Sequence, residues 1–95
     1  MPLQPDNYTA ALDRARTHAL EWLGSLPTRT IRPSATADQL LGEFGGPLPE
    51  HPTDPAAVVD ELALKAEPGL MASPSGRFFG WVMGGTLPAA LAADW

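Results

Sequence analysis

A chain of 95 residues with a net charge of −5 and a pI near 4.7 has room for one small domain, and its six basic residues are too scattered for phosphate binding, which excludes nucleic acid as a partner. Eleven prolines and nine glycines exclude a continuous helical bundle, while a 44% hydrophobic share excludes a disordered tail. With no cysteine there is no disulfide framework or thiolate metal site, in keeping with a reducing cytoplasm, and Met1-Pro2-Leu3-Gln4-Pro5-Asp6 has neither the basic nor the apolar run of a signal peptide.

In chain order, Asp6 or Asn7 is positioned to cap a first helix running to about Leu26, with Pro27 ending it. Tyr8, Leu12, Ala15, Ala19, Trp22, Leu23 and Leu26 recur at spacings of three and four, and Asp13, Arg14, Arg16 and Glu21 take the other side. That apolar stripe is wider than the remaining elements can cover, so it is expected to pack on a partner subunit or another domain. The stretch Pro27 to Pro33 should run extended, as a strap along the surface, because residues before proline avoid helical angles.

Thr36 and Gln39 form a capping box that starts a short helix through Leu40, Leu41 and Phe44, stopped by Gly45-Gly46-Pro47. Asp54 caps and Pro55 opens a third helix reaching about Glu67, with Val58, Val59, Leu62 and Ala66 as its buried side and Glu61–Lys65 as an exposed pair four apart. Pro68-Gly69 terminates it. The last stretch, Phe78 to Trp95, is the most apolar. Its glycines and Pro88 argue against a membrane span, and Thr86 is placed to cap a helix carrying Leu87, Ala90, Leu91 and Trp95. Asp94 and Trp95 supply no stop signal, so the sequence reads as the N-terminal piece of something longer.

Residues able to carry chemistry are few. His18 and His51 stand 33 positions apart with no carboxylate at ligand spacing beside either, so His18 reads as an edge residue of the first stripe and His51 as a solvated loop residue. Ser25, Ser34, Ser73 and Ser75 have no base at a recognisable spacing. Gly84-Gly85-Thr86 at a helix start offers backbone N–H groups to an anion, but no lysine follows it and a tight turn is the simpler reading.

From Pro68 onward the residues resemble a family. Pro68-Gly69, eight residues, Phe78-Phe79, a short intervening stretch and then Pro88-Ala89-Ala90-Leu91-Ala92-Ala93-Asp94 are similar to the N-terminal part of the group II pyridoxal-phosphate-dependent amino-acid decarboxylases, which include the aromatic-amino-acid, histidine and glutamate decarboxylases. The upstream order of long helix, Arg-Pro strap, short helix and acidic helix is similar too. Many members carry a Thr-His-Trp run and a His-Pro ahead of the Phe-Phe pair, where this chain has Met71-Ala72-Ser73 and Ser75-Gly76, so the resemblance does not specify which amino acid is the substrate.

The resemblance implies a mainly α chain of short helices joined by proline-rich loops, forming the N-terminal segment of a fold type I, aspartate aminotransferase-like α/β enzyme. Residues 1–76 would be a helical clasp on the second subunit of a homodimer. Residues 77–95 would be a pocket-wall stretch and the first helix of the catalytic domain. Trp81, Val82, Met83 and Gly84 would then contact the amino-acid substrate, Trp81 falling where relatives have an aromatic residue or glutamine. The cofactor of the parent enzyme would be pyridoxal 5'-phosphate, held by a lysine beyond Trp95, since Lys65 sits on a charged helix face. This segment alone would be an inactive part of a cytoplasmic carboxy-lyase, with neither nucleic acid nor membrane as partner. Two other readings stand beside it: a helical protein-interaction module, and an enzyme of the same fold carrying out transamination or aldol cleavage.

Overall fold

A computed structural model describes residues 5–80 and 85–95, with side chains from residue 7 onward. The described residues form helices α1 (Pro5–Ser25), α2 (Ala37–Phe44) and α3 (Pro55–Ala66), a 3₁₀ turn over Glu67–Gly69, and helix α4 (Pro88–Asp94), with no strand among them. The chain is therefore mainly α, as its sequence predicts.

Helix α1 begins at Pro5, which loses no hydrogen bond in a first turn, so Asp6 and Asn7 lie inside the helix instead of capping it. It closes at Ser25. The Ser25 hydroxyl donates to the Trp22 carbonyl at 2.6 Å, and the Ser25 carbonyl accepts from the Thr28 and Arg29 amides at 3.1 and 2.8 Å. The chain thus makes one more turn over residues 26–28 before the strap begins. From Ile31 the strap runs beside residues 68–72: the Ile31 carbonyl accepts from Ala72, and the Pro68 carbonyl accepts from both Ser34 and Ala35.

Both predicted caps of the middle helices form. The Thr36 hydroxyl accepts from the Gln39 amide at 3.2 Å while the Gln39 side chain accepts from the Thr36 amide at 2.8 Å, satisfying two otherwise orphaned donors. Gly45 and Gly46 end α2, and Gly46 takes a φ of +148°, which a side chain would strain. In α3, Asp54 accepts from the Ala57 amide at 3.2 Å and Pro55 occupies the first turn.

The main tertiary contact is α1 against α3. Arg14 and His18 meet Asp60, and just past the C-terminal ends of both helices Arg29 meets Glu67, so the two helices run in the same direction. Parallel neighbours require a crossover, which the strap, α2 and the proline-containing loop over residues 45–54 supply. The contact face of α1 holds Arg14, Ala15, His18 and Trp22, and that of α3 holds Ala56, Val59, Asp60 and Ala63, all half-buried. This corrects two expectations. Arg14 faces α3 instead of solvent, and Val58 and Leu62 point outward because pairing Asp60 with α1 turns the helix away from the face its apolar spacing suggested.

Helix α2 leans on the end of α3 through Leu40, whose methyl groups occupy the space above Gly69 that a Cβ would need. Residues 71–78 then form a run of tight turns in which the Ser75 amide donates to Ala72 and the Phe78 amide to Ser75, at 3.1 and 3.0 Å. Ala72 and Ser75, in this run, are the buried residues of the described chain. Helix α4 starts after Leu87 with no side-chain cap, so Thr86 does not play the capping role expected of it; Pro88 itself opens the helix. No helix among the described residues is long and apolar enough to cross a membrane.

Candidate functional site

The polar junction of α1 and α3 centres on one oxygen. Asp60 Oδ1 accepts from Arg14 Nε at 2.7 Å and lies 2.7 Å from His18 Nε2, a bond that needs the imidazole proton on Nε2. The Arg14 hydrogen bond, then that of His18, holds the Asp60 carboxyl below its ordinary pKa, and Asp60 in turn raises that of Arg14. His18 therefore does have a carboxylate beside it, supplied by α3 from 42 positions away, which local spacing in the sequence had no means of showing. Through these two bonds Asp60 clamps α3 to α1.

A second junction lies at the C-terminal end of α1. Arg29 stacks over the Trp22 ring at 4.2 Å, donates to Ser25 Oγ at 2.8 Å and pairs with Glu67. Arg77 joins it from 51 positions along the chain, donating to the Leu26 carbonyl at 3.0 Å and also to the Arg29 carbonyl. The strap, the end of α3 and the start of the C-terminal stretch thus converge on the last turn of α1.

The sequence-predicted candidates are dispersed. Trp81, Val82, Met83 and Gly84, the expected substrate-contacting residues, lie outside the described residues. Lys65 donates to Glu61 at 2.6 Å as the expected pair on α3. His51 is exposed in its loop, and Gly85 and Thr86 are exposed ahead of a helix of seven residues. Ser25 and Ser75 are occupied with backbone and arginine bonds. Among the described residues no group of three or more His, Asp or Glu side chains is arranged to hold a metal ion.

What the helices do bring together is an apolar surface. In α1, Tyr8, Leu12, Ala19 and Leu23 lie about a quarter-turn from the α3-facing line at 100° per residue. In α3, Val58 and Leu62 lie roughly a third of a turn from the α1-facing line, and because the helices are parallel they turn toward the same side of the layer. Leu12 is 55% and Leu62 58% exposed there. Helix α4 stands over the C-terminal half of this side, leaving an apolar groove of about 640 Å³ between Leu20, Leu23 and Leu26 of α1 and Pro88, Leu91 and Trp95. Neither period nor composition of α3 pointed to this shared face; the outward turn of Val58 and Leu62 creates it. No family model, no curated protein and no solved structure matches the chain.

Proposed function

We propose that this chain is the N-terminal segment of a pyridoxal-phosphate-dependent amino-acid decarboxylase of the cytoplasm, contributing subunit contacts through the shared α1/α3 face and one wall of the substrate pocket through Trp81, Val82, Met83 and Gly84. The observation that carries this reading is the apolar flank of the α1/α3 layer, where Tyr8, Leu12, Val58 and Leu62 are all exposed. A face of that kind is built for burial. A second copy of the polypeptide is the occupant that the family resemblance supplies, in an active site shared between subunits.

The residues present do not fit the cofactor itself. Lys65 is the chain's one lysine, and its amine is engaged by Glu61 on the flank of α3. The reading therefore assigns cofactor binding to another part of the polypeptide and derives no chemical step from this one. The test is to produce the full-length coding sequence and look for a cofactor–lysine absorbance band that borohydride abolishes, together with release of carbon dioxide from an amino acid. Absence of the band sinks the proposal. The band with transamination or aldol cleavage in place of carbon dioxide release keeps the fold and replaces the reaction.

The interaction-module reading rests on the same face and on the paired caps and clamps of α1, α2 and α3. It requires the 95-residue chain to melt cooperatively as a soluble species by itself, which the decarboxylase reading does not.

A further inference from the structure

Helix α1 lines the groove beneath α4 with a row that starts at Arg16 and continues through Ala19, Leu20 and Leu23 to Leu26, just past the helix end. At 1.5 Å per residue that row is about 15 Å long. Leu91 and Trp95 belong to the opposite wall, and the volume of about 640 Å³ lies within the range of about 300–1,000 Å³ in which proteins hold small molecules. Among the described residues that line the groove, Arg16 carries the one charge, at the end of the row, and no carboxylate faces it there. Arg16 is also uncommitted. Arg14 pairs with Asp60, Arg29 with Glu67 and Lys65 with Glu61, and Arg77 donates to two backbone carbonyls, whereas Arg16 has no hydrogen bond or ion pair among the described residues. Arg32, likewise unpaired among them, lies on the strap outside the groove.

We propose that this groove binds a free single-chain carboxylate, a fatty acid, with its hydrocarbon chain laid along the α1 row against Leu91 and Trp95 and its carboxylate paired with Arg16. A linear apolar trough with a cation at one end complements a linear apolar molecule with an anion at one end. The guanidinium fork can donate two hydrogen bonds to a carboxylate, and each methylene withdrawn from water adds to the affinity. The open half of the α1/α3 layer, with Tyr8, Leu12, Val58 and Leu62, lies outside the groove, so ligand and second copy occupy different places. This site is independent of the reaction proposed above.

The test is calorimetric titration of the full-length protein with dodecanoate and with dodecanol, which has the same chain and no charge. Dodecanoate should bind saturably, one per chain, and more tightly than the alcohol. Arg16→Gln should weaken dodecanoate roughly tenfold and leave dodecanol unchanged, and Ala92→Trp, which fills the groove, should abolish both. Both residues are exposed, so neither change threatens the fold. Absence of saturable dodecanoate binding overturns the proposal, as does binding that neither variant alters, which would lie elsewhere. A wild-type protein whose oligomer dissociates on Ala92→Trp and takes up no dodecanoate also overturns it, since the groove would then hold a second copy. A full-length protein without decarboxylase activity that binds dodecanoate through Arg16 loses the functional reading and keeps this site.

Discussion

At Asp60 one carboxylate oxygen takes two donors from the neighbouring helix, and the protonation of that group decides whether the clamp exists. Its pKa is lowered in the folded chain from the ordinary value of 3.8, first by the Arg14 hydrogen bond and then by that of His18. A lowered folded value means that the stabilisation is complete above the unfolded pKa and disappears as the pH falls through the folded one. Acidification from about pH 6 to about pH 2 should therefore loosen α1 from α3 once the pH drops past the unfolded value, seen as a loss of helical circular dichroism. Asp60→Asn should be less helical at neutral pH and lack this acid step; an unchanged acid profile would remove Asp60 from the clamp. At the same scale, burial falls on two small residues, Ala72 and Ser75. Both are buried in the turns that bring residues 71–78 against the strap, and a bulkier side chain would have to displace it.

The helices themselves were legible wherever the signal was local. The capping box at Thr36, the Asp54-Pro55 start of α3, the Gly45-Gly46 stop and the Glu61–Lys65 pair all depend on residues within four positions, and all form. The capping box should contribute independently of tertiary packing: Thr36→Ala should cost α2 about 1 kcal/mol, read as roughly fivefold faster amide exchange at Gln39 and the residues following it. Orientation was not legible. Which face of α3 turns inward is decided by Asp60 meeting Arg14 and His18, at separations of 46 and 42 residues, and hydrophobic spacing alone favoured the wrong flank. The same long-range pairing turned Arg14 toward α3 and gave His18 a carboxylate. Thr86 failed as a cap because Pro88 begins α4 one position later than a Thr86 cap requires.

As a whole the chain exposes 7529 Å², against roughly 5,300 Å² for a compact protein of its mass, and its radius of gyration is 15.8 Å where roughly 12 Å is typical of its length. The excess of some 2,200 Å² is largely a matter of arrangement: two parallel helices form a layer, α2 leans on one side, and the other side is left apolar. Two copies burying such an excess would together reach the range of about 2,000–5,000 Å² found in obligate interfaces. The apolar stripe of α1 was legible in the sequence; that α3 adds Val58 and Leu62 to the same side followed only from the parallel packing. The central claim is that this face is made to be buried against a second copy, and sedimentation velocity of the 95-residue chain over a range of concentrations tests it most directly. The account predicts a self-associated species without a cooperative melt, shifted toward monomer by Leu12→Glu combined with Leu62→Glu. A chain that sediments as a monomer at every concentration and melts cooperatively would contradict it.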